Sequence, residues 1–148
     1  MILKDLLKAA QQSISVSLAM SLDEAAIDAR LLLQHSLKVD HAWLIGHIND
    51  ELTDVQTQSF QQLLARRLKG EPIAYILGLR EFYGLPLKTA PATLIPRPDT
   101  ETLVEAALDK LPDNQNLRVL DLGTGTGAIA LAIAKSRPQA HVTAVDFS

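Results

Sequence analysis

The run Leu117-Arg118-Val119-Leu120-Asp121-Leu122-Gly123-Thr124-Gly125-Thr126-Gly127 decides how the second half of this chain folds. A short apolar stretch ends in an acidic residue. Three glycines follow at alternate positions, and then Ala128-Ile129-Ala130-Leu131-Ala132-Ile133-Ala134. The pattern predicts a buried strand, a tight turn and an apolar helix in immediate succession. Glycine permits positive φ and lets a ligand approach the backbone closely. The first turn of a helix adds N–H groups with no partner inside the helix.

Working outward, Arg137-Pro138 stops the helix, and His141-Val142-Thr143-Ala144-Val145 reads as a second strand ending at Asp146. Asp146 stands 19 residues after Gly127. An acid about 20 residues on, at a strand end, is where ribose hydroxyls are held in such folds. The alternative is a ligand-free turn with Asp146 in solvent. Gly123, Gly125 and Ala128 fit the dinucleotide pattern, so a nicotinamide cofactor is admissible. Asp121 argues for a different ligand. A carboxylate two residues before the first glycine opposes a pyrophosphate and suits a cation. S-adenosylmethionine, with a sulfonium, an ammonium and no phosphate, meets that requirement. Asp121 could equally cap the turn's own N–H groups.

Upstream, residues 1–70 read as a bundle of four or five helices. Ile2, Leu3, Leu6, Leu7 and Ala10 share one helical face. Ser21-Leu22-Asp23-Glu24 and Thr53-Asp54-Val55-Gln56 have capping-box spacing. The helices they open carry Leu22, Ala25, Ala26, Ala29, Leu32 and Leu33, then Phe60, Leu63, Leu64 and Leu68. A short helix near His41–His47 places Trp43 and Leu44 in the core. Arg66, Arg67 and Lys69 read as a solvated helix end, where cations suit the dipole. Gly70 is the stop signal. Glycines and prolines then exclude a long helix. Two strands, near Tyr75–Leu77 and Leu85–Thr89, are expected to form a hairpin. Pro96-Arg97-Pro98 fixes an extended segment. Asp99 or Thr100 would cap the next helix, which runs to about Lys110 with Leu103, Val104, Ala107 and Leu108 inward. Pro112-Asp113-Asn114 reads as a loop.

A net charge of −3 removes the broad basic face expected of nucleic-acid binders. With no cysteine there is no disulfide and no thiolate metal site, and His35, His41, His47 and His141 lack metal-ligand spacing. No apolar run approaches the ~20 residues of a membrane span. A cytoplasmic monomer without metal, membrane or nucleic-acid partner is the expectation.

The runs Gly70–Gly78, Glu81-Phe82-Tyr83-Gly84-Leu85 and Leu94-Ile95-Pro96-Arg97-Pro98-Asp99-Thr100-Glu101 resemble the PrmC/HemK family. The Asp121–Gly127 turn and Asp146-Phe147-Ser148 match it as well. The resemblance is sharp from Gly70 onward and weaker before. It implies methylation of the side-chain amide nitrogen of a glutamine in class 1 peptide-chain release factors, with S-adenosylmethionine as donor. It further implies a helical release-factor-recognition domain (1–72), a β-hairpin linker (73–98) and the start of a Rossmann-like methyltransferase domain (99–148). Gly123, Thr124, Gly125, Thr126 and Gly127 would line the methionine and ribose portion, beside Asp121. Asp146 would take the ribose hydroxyls. Thr100 and Glu101 would lie near the amino-acid end, unless they serve only to start a helix. Arg97 would bind or buttress this loop, or stand at the surface. The family's Asn-Pro-Pro-Tyr motif is not among these 148 residues. No catalytic residue is therefore assigned, and the chain is expected to be an inactive fragment. A non-catalytic helical binding module and a nicotinamide-binding fragment are the other readings.

Overall fold

The computed structural model describes residues 1–113 and 115–147. Asn114, the end of the expected loop, and Ser148, the end of the Asp146-Phe147-Ser148 run, lie outside the described residues. The chain divides into two compact units, Met1–Leu77 and Gly78–Ser148.

The first unit is helical: α1 (Leu3–Leu18), α2 (Leu22–Leu37), α3 (His41–Gly46), α4 (Asp54–Leu68) and α5 (Ile73–Leu77). Leu3, Leu6, Ala10 and Ile14 recur every three or four residues and form the buried stripe of α1. Ile2 precedes the helix and is exposed; it forms an isolated bridge with Glu51 instead. Both capping boxes form. The Ser21 hydroxyl accepts the Glu24 N–H at 3.2 Å, and Glu24 Oε2 accepts the Ser21 N–H at 3.1 Å. Thr53 and Gln56 do the same at the start of α4. Ala25, Ala29, Leu32, Leu33 and Phe60 fill the core between α2 and α4, whereas Leu22, in the first turn of α2, is exposed. Trp43 is half-buried rather than core, its indole stacked on the His47 imidazole with centroids 4.0 Å apart.

Two sequence expectations fail here. Arg67 is not a solvated helix end. Its Nε donates to Asp28 Oδ2 at 2.7 Å, and both side chains are about seven-eighths buried, at 14% and 13% exposure. Its other nitrogens donate to the Glu71 carbonyl and to Met20 Sδ. The run Tyr75–Leu77 is helix, not strand. Pro72 ends the α4–α5 connection with its φ already set for a helix, and its carbonyl accepts the N–H groups of Tyr75 and Ile76. Ala74 and Ile76 are buried against the other helices, which outweighs the β-branched character of the run.

The second unit contains a hairpin of β1 (Leu79–Phe82) and β2 (Leu85–Lys88), then α6 (Thr100–Lys110), β3 (Arg118–Leu122), α7 (Ala128–Ser136) and β4 (His141–Val145). The hairpin is antiparallel, with Leu79 opposite Lys88 and Phe82 opposite Leu85. Tyr83 and Gly84 both take positive φ, 51° and 68°, the requirement of a tight two-residue turn. Strands β3 and β4 pair in parallel, from Arg118–His141 to Leu122–Val145. Parallel pairing needs a crossover, and α7 supplies it.

Helix α7 is apolar on most sides, and Ala128, Ala132 and Ile133 pack with Phe82, Leu87 and Val104. Val119 and Val142 lie against this cluster. The expected buried strand is not found. Leu120 and Leu122 are 59% and 71% exposed, because alternate residues of β3 face opposite sides and the cluster covers only one. On α6, Val104 is fully buried but Leu103 faces solvent. Asp99 occupies the cap position without a side-chain cap bond. The helix begins instead through the Pro-Arg-Pro turn: Thr100 N–H donates to the Arg97 carbonyl at 3.0 Å and Glu101 N–H to Pro98 at 2.9 Å. At its other end the Arg137 guanidinium donates to the Leu108 and Leu111 carbonyls, satisfying groups the helix cannot.

Candidate functional site

The site grows from the turn between β3 and α7. Gly123, Gly125 and Gly127 have φ of 73°, 55° and 78°, so all three alternate glycines occupy the left-handed region. A Cβ added to Gly123 or Gly125 would meet no atom within 4 Å, so the space above both is open. At Gly127 it would meet Leu131 Cδ1 at 3.5 Å.

Much of the turn's hydrogen-bonding capacity is already committed. The N–H groups of Gly123 and Thr124 both donate to the Val145 carbonyl, at 2.7 and 3.1 Å. Gly125 N–H donates to Asp146 Oδ2 at 2.7 Å, and Gly127 N–H to the Thr124 carbonyl at 2.9 Å. The ends of β3 and β4 are thereby tied into one rim. The Thr124 hydroxyl donates to Asp121 Oδ2 at 2.7 Å. The described contact of Asp121 is thus with a threonine hydroxyl rather than with an N–H group of the turn.

Beside the rim lies a cleft of about 470 Å³. One wall is the segment Ala92–Arg97 with Thr100, and the other is Gly123–Thr126, Ala128, Ile129 and Asp146. Thr100, Gly123, Thr124, Gly125, Thr126 and Asp146 therefore come together from three separate stretches of sequence. Asp121, Gly127 and Glu101 do not line the cleft. Glu101 turns toward the hairpin, where its Oε1 accepts the Tyr83 N–H at 3.0 Å. Lys135 reaches the same turn and donates to the Gly84 carbonyl at 3.1 Å. Sequence reasoning missed the apolar wall of Leu94, Ile95 and Ile129. Its signal was available: an adjacent Leu-Ile pair held extended ahead of Pro96 cannot fold back on itself.

Chemically, the cleft offers a carboxylate at one strand end, a glycine floor, threonine hydroxyls and an apolar wall. Its volume lies in the ~300–1,000 Å³ range of small-molecule sites. Among the described residues no group of His, Asp and Glu is placed to hold a metal ion, and no helix is long and apolar enough to cross a membrane.

These features, a parallel strand pair joined by a helix with a ligand-sized cleft at the strand ends, are the opening unit of a doubly wound α/β domain. Residues 113–148 match the family described as Methyltransferase domain, and residues 6–78 match the PrmC N-terminal domain. Those are the two domains that the PrmC/HemK resemblance implies. It is 56% identical over 119 residues, 80% of its length, to a Shigella dysenteriae protein named release factor glutamine methyltransferase. A protein of the same name from Salmonella typhimurium is 56% identical over 84% of the chain, and one from Aliivibrio fischeri is 50% identical over 96%. The chain covers 43%, 44% and 49% of those relatives, so it spans less than half their length.

Proposed function

We propose that the cleft binds S-adenosylmethionine, and that the whole protein methylates a glutamine side-chain amide of a class 1 peptide-chain release factor. The observation that carries this reading is the convergence of the Pro-Arg-Pro segment, the glycine turn and Asp146 on one cleft. The relatives' name supplies the reaction.

The residues fit the cofactor. Asp146 accepts the Gly125 N–H and lines the cleft, and a carboxylate is the kind of acceptor that ribose hydroxyls require. The open space above Gly123 and Gly125 admits a ligand close to the backbone. Ile95 and Ile129 give an apolar surface for a planar base. Thr124, Thr126 and Thr100 add hydroxyls. Asp121, Gly127 and Glu101 shape the site from behind: Asp121 braces Thr124, Gly127 begins α7, and Glu101 fixes the hairpin to α6.

When bound, the cofactor supplies an electrophilic methyl group on a sulfonium. The difficulty lies on the other side of the reaction. An amide nitrogen is a weak nucleophile because its lone pair is delocalised, so catalysis rests on positioning the NH₂ group and accepting its hydrogens. We assign that task to an Asn-Pro-Pro-Tyr motif outside these 148 residues, and substrate holding to the helical unit. The 148-residue chain by itself then binds cofactor without transferring methyl.

Calorimetry with S-adenosylhomocysteine and with NAD tests the first part. Binding of the former alone supports the reading, and preference for NAD overturns it in favour of a nicotinamide-binding domain. Incubation with release factor and methyl-labelled S-adenosylmethionine tests the second. Incorporation above background by the 148-residue chain would place the amide chemistry within it. Capture of release factor by a chain that binds no nucleotide would favour a purely non-catalytic binding module.

A further inference from the structure

Met20 is one of two methionines in the chain. It stands at the corner between α1 and α2, half-buried against the helical core. Its backbone is held twice by one residue. The Met20 N–H donates to the Ser15 carbonyl at 3.2 Å, and the Met20 carbonyl accepts the Ser15 hydroxyl at 2.8 Å. Its sulfur accepts from Arg67 Nη2 at 3.2 Å. The guanidinium is fixed independently of that contact. Nε donates to Asp28 Oδ2 at 2.7 Å, and Nη1 donates to the Glu71 carbonyl at 3.1 Å. Nη2 is thus a charged donor, held in place by other partners and aimed at a thioether, which is a weak acceptor. Met1, the other methionine, is 59% exposed and serves as an internal reference.

We propose that Met20 is a modification site for hydroperoxides, and that Arg67 holds the sulfoxide so formed. A lone pair of Met20 Sδ attacks one peroxide oxygen. The S–O bond forms as the O–O bond breaks. The proton on the transferred oxygen passes to the departing one, which leaves as water or an alcohol. Sulfur is oxidised by two electrons and the peroxide is reduced by two. Partial exposure of Met20 gives the oxidant access. Methionine oxidation ordinarily disrupts a core, because the new oxygen is polar and finds no donor there. At Met20 the donor is already in position. A sulfoxide oxygen is a stronger acceptor than a thioether sulfur, and the unbranched stem adjusts to seat it. Oxidation here strengthens the tie between the α1–α2 corner and the end of α4, where elsewhere it loosens packing. The inference concerns the helical unit alone and does not depend on the cofactor reading.

The test treats the folded 148-residue chain with hydrogen peroxide, locates added oxygen by peptide mass spectrometry and follows urea unfolding by Trp43 fluorescence. Met20→Leu, close in volume, retains Met1 alone and measures the effect of oxidation there. Met20 should take up one oxygen. The unfolding midpoint, corrected for Met1, should then stand no more than about 0.5 M below that of the untreated chain, or above it. In a 15N-edited spectrum the Arg67 Nε–H signal should move on oxidation, while that of Arg66, which donates to Glu71, stays in place. Three results would each overturn the proposal. Met20 unmodified under conditions that oxidise Met1 fully would mean that the site is closed to peroxide. A midpoint lowered by more than about 0.5 M would mean that the oxygen is left without a donor. An unmoved Arg67 signal would mean that the guanidinium does not receive it.

Discussion

Replacing Arg67 by methionine isolates the interaction that the bundle hides best. The new side chain keeps an unbranched apolar stem of similar reach and removes the guanidinium. Three donations are lost at once: to Asp28 Oδ2, to the Glu71 carbonyl and to Met20 Sδ. Removing one partner of a fully buried ion pair costs about 3–5 kcal/mol, because the other charge is left without compensation. Here 14% and 13% of the two side chains stay accessible, so water can reach the stranded Asp28 carboxylate in part. About 2–3 kcal/mol is the expected loss. With a urea slope of roughly 1 kcal/mol per molar for a unit this small, the unfolding midpoint falls by about 2–3 M. Trp43, the single tryptophan, lies in the helical unit and stacks on His47, so its fluorescence reports the unfolding of that unit. The control is Arg67→Met combined with Asp28→Leu. Removing both charges should recover much of the loss, since an apolar pair of similar volume has no carboxylate to desolvate. A midpoint within about 0.5 M of the unchanged chain for the single variant would mean that Arg67 is a solvated helix end after all.

Glu101→Ala should lower the stability of the second unit by about 1–2 kcal/mol, from the lost bond to Tyr83 N–H, and leave S-adenosylhomocysteine affinity within about threefold; a much larger loss of binding would put Glu101 in contact with the ligand. Gly125→Ala, at φ 55° with open space around the added Cβ, should fold at a cost of about 1–2 kcal/mol yet bind S-adenosylhomocysteine several-fold more weakly, whereas Gly46→Ala, also in open space but in α3 of the helical unit, should bind normally. If calorimetry finds the two alike, the cleft is not where the ligand sits. The Glu71 carboxyl is held below its ordinary value of 4.5 by the hydrogen bond from Arg66, and the Glu24 carboxyl by the hydroxyl and then the N–H of Ser21. A depressed carboxylate pKa stabilises the fold above its ordinary value, and that stability is lost as pH falls through the depressed one. Glu71→Gln should therefore flatten the acid side of a stability–pH curve below about pH 4.5, by a small amount since the pair is exposed; an unchanged slope would show that the Arg66–Glu71 contact does not form in solution.

The parts legible in the sequence are those set by neighbours a few residues away. The capping boxes at Ser21 and Thr53 form because each needs only a residue three positions on. The strand–turn–helix unit forms because three alternate glycines permit the left-handed conformations that the turn requires at Gly123, Gly125 and Gly127. Arg67 escaped because its partner, Asp28, is 39 residues distant and belongs to another helix. Nothing in a run of Arg-Arg-Leu-Lys distinguishes the arginine that turns inward. Tyr75–Leu77 escaped because burial against the bundle, not local propensity, chose helix. The exposure of Leu120 and Leu122 could not be read from an apolar run, since whether a sheet face is covered depends on elements elsewhere.

The candidate site shows the same division, with a consequence for recognition. Read from sequence, the glycine turn looks like the recognition element, its free amides turned to the ligand. In the folded chain four of those amides are spent on Val145, Asp146 and Thr124, and Asp121 braces the turn through Thr124. What the glycines supply is shape: an open floor on which no Cβ intrudes. The charged side chains at the cleft come from other segments, Asp146 from the end of β4 and Arg97 from between its two prolines. A turn of this kind is shared widely because a floor suits many nucleosides. The charge pattern around it need not be shared. Exchanging the two charges, Arg97→Glu with Asp146→Arg, should accordingly abolish S-adenosylmethionine binding while the glycine turn keeps its conformation, measurable as unchanged amide-exchange protection of Gly123 and Thr124. Retained affinity in that double variant would return recognition to the turn.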